Sequence, residues 1–176
     1  MYATSSETPT IEAGDHNSYM KLALSLATKS PPKPTNYRVG AVIVDIKVNK
    51  ILATGYTLEL PGNTHAEQCC LEKLAQQHGV PATELDQKLP DVALYTTVEP
   101  CSKRLSSNMP CVERILAVSK CVKTVYVGIQ EPETFVSGNS SKSKLQDTGI
   151  TVVHVRGLEK EILEVATAGH EKDGSE

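Results

Sequence analysis

Apolar positions along this chain follow two rhythms in turn. Over residues 16–30, Tyr19, Ala23 and Leu26, flanked by Met20 and Leu24, recur at the three- and four-residue spacing of one helix face. Pro31-Pro32-Lys33-Pro34 stops that helix, because proline lacks an amide donor and biases the residue before it away from helical angles. Residues 39–46 form a nearly continuous β-branched run, as in a strand covered on both faces. A second short strand is predicted over 51–56, after the polar turn 47–50. The loop Pro61-Gly62-Asn63-Thr64 leads into a helix over about 65–78, closed by Gly79 as its C-cap. Residues 81–90 read as polar linker, 91–98 as strand, 112–120 as helix, 124–129 and 150–155 as strands, and 158–168 as a terminal helix. Strands alternating with helices predict a layered α/β domain on a parallel or mixed sheet. The domain is expected over 16–168, between a flexible arm (1–15) and a solvated tail (169–176).

Composition narrows the setting. A chain of 176 residues has room for one sizeable core. Its net charge of −3 and 4% aromatic content, with no Trp and one Phe, favour a small-molecule partner over nucleic acid, whose binders usually show a basic face. No apolar run approaches the ~20 residues that span a bilayer, so no membrane partner is expected. Residues 1–13 lack the basic and apolar regions of a signal peptide, so a cytoplasmic, reducing setting is the expectation. Five cysteines, an odd number, then point to metal, catalysis or burial rather than to a disulfide framework.

Three short pieces carry the candidate chemistry: His65-Ala66-Glu67, Pro100-Cys101 and Pro110-Cys111. One imidazole and two thiolates suit a single Zn²⁺ ion and leave its fourth position open for water, the catalytic rather than the structural pattern. The metal would lower the pKa of that water towards neutrality. Glu67 does not suit a fourth ligand, because positions i and i+2 of a regular helix point to nearly opposite sides. His65 is therefore expected at the non-helical entry to its helix, with Glu67 in the first turn as the acid–base group. Cys111 falls at a helix start, which favours a thiolate. Cys69, Cys70 and Cys121, beside apolar neighbours, read as buried small hydrophobes. His16, His78, His154 and His170 are left structural or solvated.

The pattern H-x-E with P-C-x-x-C marks zinc deaminases. This chain departs from it, since Ser102 to Pro110 separate the two cysteines. With Asn36-Tyr37-Arg38-Val39-Gly40, Gly62-Asn63-Thr64-His65-Ala66-Glu67, Thr97-Val98-Glu99-Pro100-Cys101-Ser102 and Val127-Gly128-Ile129-Gln130-Glu131-Pro132, it resembles the riboflavin-pathway pyrimidine deaminases, most closely their fungal branch, over about residues 19–155. The long spacer is a feature of that branch. The resemblance implies a three-layer α/β/α cytidine-deaminase-like fold on a five-stranded mixed sheet, one zinc per chain, and pairing as a homodimer. It also implies hydrolysis of the C2 amino group of a diamino-ribitylamino-pyrimidinone phosphate, with Asn36 against the substrate ring.

The loop after Cys101 supplies further candidates. Lys103 and Arg104 suit phosphate capture, as a point charge and a planar fork, with solvated loop tips as the plain alternative. Ser102 and Ser106, with Ser107 and Asn108, could meet a polyol or phosphate. Bacterial relatives carry Asp-Pro-Asn where this chain has Glu131-Pro132-Glu133, and they act on the ribosyl compound. Ionised glutamates, acceptors only, suggest a preference for the open ribityl chain, contributed to by Glu131, with a solvated loop as the plain alternative. Two rival readings remain: a zinc deaminase of another base, free or in tRNA, and a non-catalytic zinc-binding interaction module.

Overall fold

In the computed structural model, residues 9–104, 108–132 and 140–171 are described. Five strands form one sheet in the order β2-β1-β3-β4-β5. They are β1 (Gly40–Asp45), β2 (Lys50–Tyr56), β3 (Val92–Val98), β4 (Val122–Ile129) and β5 (Thr151–His154). β1 pairs antiparallel with β2 and β3, whereas β3, β4 and β5 run parallel, so the sheet is mixed. Among the described residues five α-helices cover it: α1 (His16–Ala27), α2 (Ala66–His78), α3 (Cys111–Leu116), α4 (Ser141–Asp147) and α5 (Glu159–Ala166).

The expected three layers are present, and the alternation within β1 shows how they form. Ala41 and Ile43 face one core with Leu71 and Leu74 of α2, Ile115 of α3 and Leu145 of α4. Val42 and Val44 face the other core, with Tyr19, Met20 and Ala23 of α1 and Ile162 of α5. β3 is buried along its whole length, as a central strand under helices on both sides must be. Cys69, Cys70 and Cys121 are buried and free, as their apolar surroundings led us to expect.

Several boundaries differ from those read in the sequence. α1 ends at Ala27 rather than at 30, because Ser30 precedes Pro31 and the chain is already leaving the helix through Thr28. The expected polar linker contains a 3-10 helix, Ala82–Gln87, pinned by the fully buried Leu85. α4 was not foreseen, since its sequence SKSKLQD offers the core only Ser141 and Leu145. The arm is anchored where it is described, with the Ile11 carbonyl accepting from Asn49 Nδ2 at 2.8 Å. Within the expected solvated tail, His170 is instead bonded to the Asn36 carbonyl, and residues 172–176 lie outside the described residues. Among the described residues no helix is long and apolar enough to cross a membrane.

The strand directions gather distant segments at one edge of the sheet. Because β1 is antiparallel to both neighbours, the chain entering β1 (Asn36 to Val39) lies beside the chain leaving β2 (Thr57) and β3 (Val98 to Cys101). β4, parallel to β3, delivers Glu131 to the same edge. α2 starts there because Gly55 of β2 lets its first turn press onto the sheet: a Cβ at Gly55 would collide with the Ala66 carbonyl oxygen and lie 3.0 Å from Cys70 Sγ. Gly55→Ala should therefore destabilise the protein by about 1–3 kcal/mol, seen as a lower urea midpoint with an unchanged m-value. An unchanged midpoint would show that α2 can withdraw at no cost.

Candidate functional site

His65 occupies the N-cap of α2 with extended angles (φ −93°, ψ 160°), and Glu67 lies in the first helical turn. This is the arrangement that the i, i+2 argument required. Cys101 follows β3 in a loop, and Cys111 is the first residue of α3. The Cys111 amide donates to Cys101 Sγ at 3.3 Å and the Val112 amide to the Cys101 carbonyl at 3.1 Å, so the two ends of the long spacer meet.

His65 Nδ1 lies 3.6 Å from Cys101 Sγ and 3.3 Å from Cys111 Sγ. Ligands at the usual zinc bond lengths of about 2.0 Å for nitrogen and 2.3 Å for sulfur stand about 3.5 Å apart across a tetrahedral edge. The three donors therefore fit one zinc ion, and among the described residues this is the cluster with metal-ligand geometry. Hydrogen bonding from Cys111 and His65 pulls the Cys101 thiol down to about 4 against the cost of burial. Cys111 is pushed the other way, by the proton it shares with Cys101 and by burial. The hydrogen bond between the two sulfurs thus favours the charged form on Cys101 and the neutral form on Cys111.

Glu67 is 3% exposed, and burial raises its carboxyl above the ordinary range although His65 opposes the shift. Thr96, fully buried on β3, places its hydroxyl 2.9 Å from Glu67 Oε1 and 2.8 Å from the Val98 carbonyl. No sequence signal marked Thr96 for this part; only the strand register puts it under α2.

His65 and Cys101 open onto a cleft that Glu67 also lines, with Cys111 buried behind them. Asn36, Lys103, Arg104 and Glu131 line it, as the sequence suggested, together with Tyr37, Asn63 and Glu99, which stood in the family-like segments without a role of their own, and Thr57, which carried no signal. Asn36 Nδ2 donates to Asn63 Oδ1 at 2.8 Å. Arg104 is already engaged: Nη2 donates to the Asn63 carbonyl at 2.6 Å and Nη1 reaches Gln68 Oε1 at 3.4 Å and the Met109 carbonyl at 3.5 Å. Lys103 is exposed at the cleft. Ser102 stands apart from the cleft wall: it is 4% exposed and its hydroxyl accepts the Ser140 amide at 3.1 Å, holding the approach to α4. Ser106, Ser107 and Glu133 lie outside the described residues.

Glu131 differs from its expected state. Burial first, then the nearby Cys101, Glu99 and Glu67, push its carboxyl up to about 8. At neutral pH it is mainly the acid, which donates as well as accepts, rather than the acceptor-only carboxylate. Glu99 is turned inward, accepting the Glu131 amide at 2.9 Å and the Ser141 hydroxyl at 3.2 Å.

Comparison with known proteins adds a lineage to this geometry. Residues 13–129 match the family described as the cytidine and deoxycytidylate deaminase zinc-binding region. The crystal structure of Aspergillus oryzae Rib2 deaminase, a C-terminal deletion mutant, is 49% identical, with a TM-score of 0.82 over 89% of this chain and 92% of that one. The same enzyme in complex with DARIPP is 47% identical with a TM-score of 0.81, at the same coverage. The diaminohydroxyphosphoribosylamino-pyrimidine deaminase of Schizosaccharomyces pombe is 38% identical over 89% of this chain and 36% of its own. The chain thus spans about a third of the length of the curated relatives it matches.

The raised Glu131 carboxyl makes stability depend on pH. Between the ordinary value of 4.5 and about 8 the folded protein keeps a proton that the unfolded chain has released. Stability from this group is therefore complete below 4.5 and is lost as pH rises through 8. Glu131→Gln, which cannot ionise, should flatten that slope, so that its urea midpoint gains on the parent at pH 8.5 relative to pH 5. A constant difference between the two proteins across this range would contradict the assignment.

Proposed function

The chain belongs to the zinc-binding cytidine and deoxycytidylate deaminase family, and on that premise we propose that it is a hydrolytic deaminase of riboflavin biosynthesis. Its substrate is diamino-ribitylamino-pyrimidinone phosphate, from which water displaces the C2 amino group as ammonia and leaves a ring carbonyl. The observation that carries this reading is the buried Glu67 carboxyl beside the His65, Cys101 and Cys111 donors at the wall of an open cleft. A non-catalytic zinc module would have no use for that carboxyl. Likeness to a Rib2 deaminase that binds DARIPP supports the substrate class over a free base or a tRNA.

His65, Cys101 and Cys111 are the residues that would hold zinc, which when bound supplies the Lewis acidity that makes water reactive at neutral pH. Glu67 takes a proton from the attacking water and returns protons to the departing amine. Its burial favours the protonated form, which suits the second half of that exchange. The Thr96 hydroxyl holds Oε1 in place while this happens. Asn36, at the cleft wall beside Asn63, presents its amide to the pyrimidine ring. Glu131, as a neutral acid, matches a ribityl hydroxyl, which also both donates and accepts.

The two basic residues divide their work. Arg104 spends its guanidinium on the Asn63 and Met109 carbonyls and so braces the spacer loop. Lys103 is the residue that meets the phosphate.

Glu67→Gln should retain zinc while losing about two to four orders of magnitude in kcat, the scale of general acid–base catalysis. Cys111→Ser should lose zinc itself. Metal content and ammonia release with a panel of aminopyrimidines decide the matter, and near-normal turnover in Glu67→Gln would sink the assignment. Lys103→Ala should raise KM for the phosphorylated compound and leave that of its dephosphorylated form nearly unchanged. Arg104→Ala should impair both forms alike. Equal effects of Lys103→Ala on the two compounds would remove Lys103 from phosphate recognition.

A further inference from the structure

The wall that carries Asn36 and Tyr37 is gripped from outside the cleft. Lys33 and Asn36 form an isolated antiparallel bridge, closing a turn over Pro34 and Thr35. Lys33, Pro34 and Thr35 are exposed, so this turn has little core contact of its own to hold it. Segments of that kind open at low free-energy cost. Two consecutive residues beyond α5 supply what is lacking. Gly169 lies against one end of the turn with φ +90°, where a Cβ would stand 2.8 Å from the Lys33 nitrogen and 2.9 Å from Pro32. Both the backbone angle and the close approach call for glycine.

His170 takes the other end. Its Nε2 donates to the Asn36 carbonyl at 2.8 Å, since a carbonyl can only accept. Its ring packs against Tyr37, with centroids 5.0 Å apart at 58°. From Asn36 the linkage continues inward, through Asn63 Oδ1 to the Asn63 carbonyl held by Arg104. Tyr37 in turn donates its hydroxyl to the Pro132 carbonyl at 3.2 Å, next to Glu131. The Arg38 amide, donating to the Ala166 carbonyl at 3.1 Å, ties the same segment to α5. His170 itself does not line the cleft.

We propose that His170, together with Gly169, is a positioning element that clasps the Lys33–Asn36 turn and thereby sets Asn36 and Tyr37 in the substrate-binding wall. The effect on catalysis rests on the proposed role of Asn36 against the substrate ring. The clasp acts on binding, because His170 does not line the cleft and bonds to its wall through the Asn36 carbonyl. It works with the same strength in ground and transition states, which is the pattern of a KM effect.

The test uses the zinc-loaded full chain and its His170→Ala, His170→Gln and Gly169→Ala variants. Steady-state kinetics with the ribityl phosphate compound are paired with amide hydrogen exchange over residues 33–38. His170→Ala should raise KM about tenfold, the scale of one lost hydrogen bond, keep kcat within about twofold, and speed exchange in that segment. Gly169→Ala should move both quantities in the same direction. His170→Gln should recover most of the KM, because its amide nitrogen can donate to the same carbonyl. A merely structural loss would lower kcat with the folded fraction and leave KM alone, and that result would overturn the proposal. So would unchanged exchange over 33–38 in His170→Ala, or a glutamine variant no better than alanine. If the parent protein released no ammonia from this compound, the reaction assignment would fall, and the exchange rates would still decide the clasp.

Discussion

Two thiols and a carboxyl crowd together in the interior of this protein. Cys111 and Glu67 are almost wholly shielded from water and Cys101 is nearly so. Anions brought this close in a medium of low dielectric repel one another strongly, and burial alone penalises each charge by several kcal/mol. A divalent cation held by His65, Cys101 and Cys111 would resolve the conflict, since it would neutralise two thiolates and leave the carboxyl free to exchange a proton. The protein groups by themselves pull unevenly: hydrogen bonding draws Cys101 towards the thiolate, while Cys111 and Glu67 are pushed towards their neutral forms. Folding and the proposed metal binding and acid–base chemistry would therefore be one problem in this chain. The same crowding spreads to Glu131, whose carboxyl is raised in part by Cys101, Glu99 and Glu67.

A mixed sheet is the scaffold that can assemble such a cluster. Had β1 run parallel to β3, the Asn36–Val39 segment would enter at the opposite edge, far from the cysteine loop. The antiparallel β1–β3 pairing and the parallel β3–β4 pairing together bring an entering segment and three departing ones to a single rim. Helix α2 then needs only to begin at that rim for His65 and Glu67 to face the same cleft from two angles. The rim is otherwise made of loops, and each is tied down by a contact from elsewhere in the chain. Ser102 holds Ser140, Arg104 holds Asn63, and His170 holds Asn36.

Much of the fold could be read before the structure, and the exceptions share a cause. β1, β3 and α2 announce themselves because burial on one or both faces imposes a regular apolar pattern. α4 has one large apolar side chain in the core, Leu145, so it carries no periodic signal. The 3-10 helix around Leu85 is hidden for the same reason. At the site, His65, Glu67, Cys101 and Cys111 were legible because the residue types are few and their spacing constrains the helix entry. Thr96 and Thr57 were not, because a threonine in a strand is ordinary and nothing local tells which strand lies beneath α2.

The division follows from what kind of property each feature is. Ligand chemistry belongs to residue type: imidazole, thiol and carboxyl at these positions suit zinc and proton transfer wherever the chain places them, and the sequence already contains that choice. Direction and protonation belong to neighbours that are remote along the chain. Whether Ser102 faces substrate or Ser140, whether Arg104 is free or braced, and whether Glu131 holds its proton are settled by residues from other elements. The clearest case is His170, which meets Asn36 across 134 positions. No local pattern can encode such a meeting, since it exists only once α5 has packed on the sheet and turned the chain back towards the cleft.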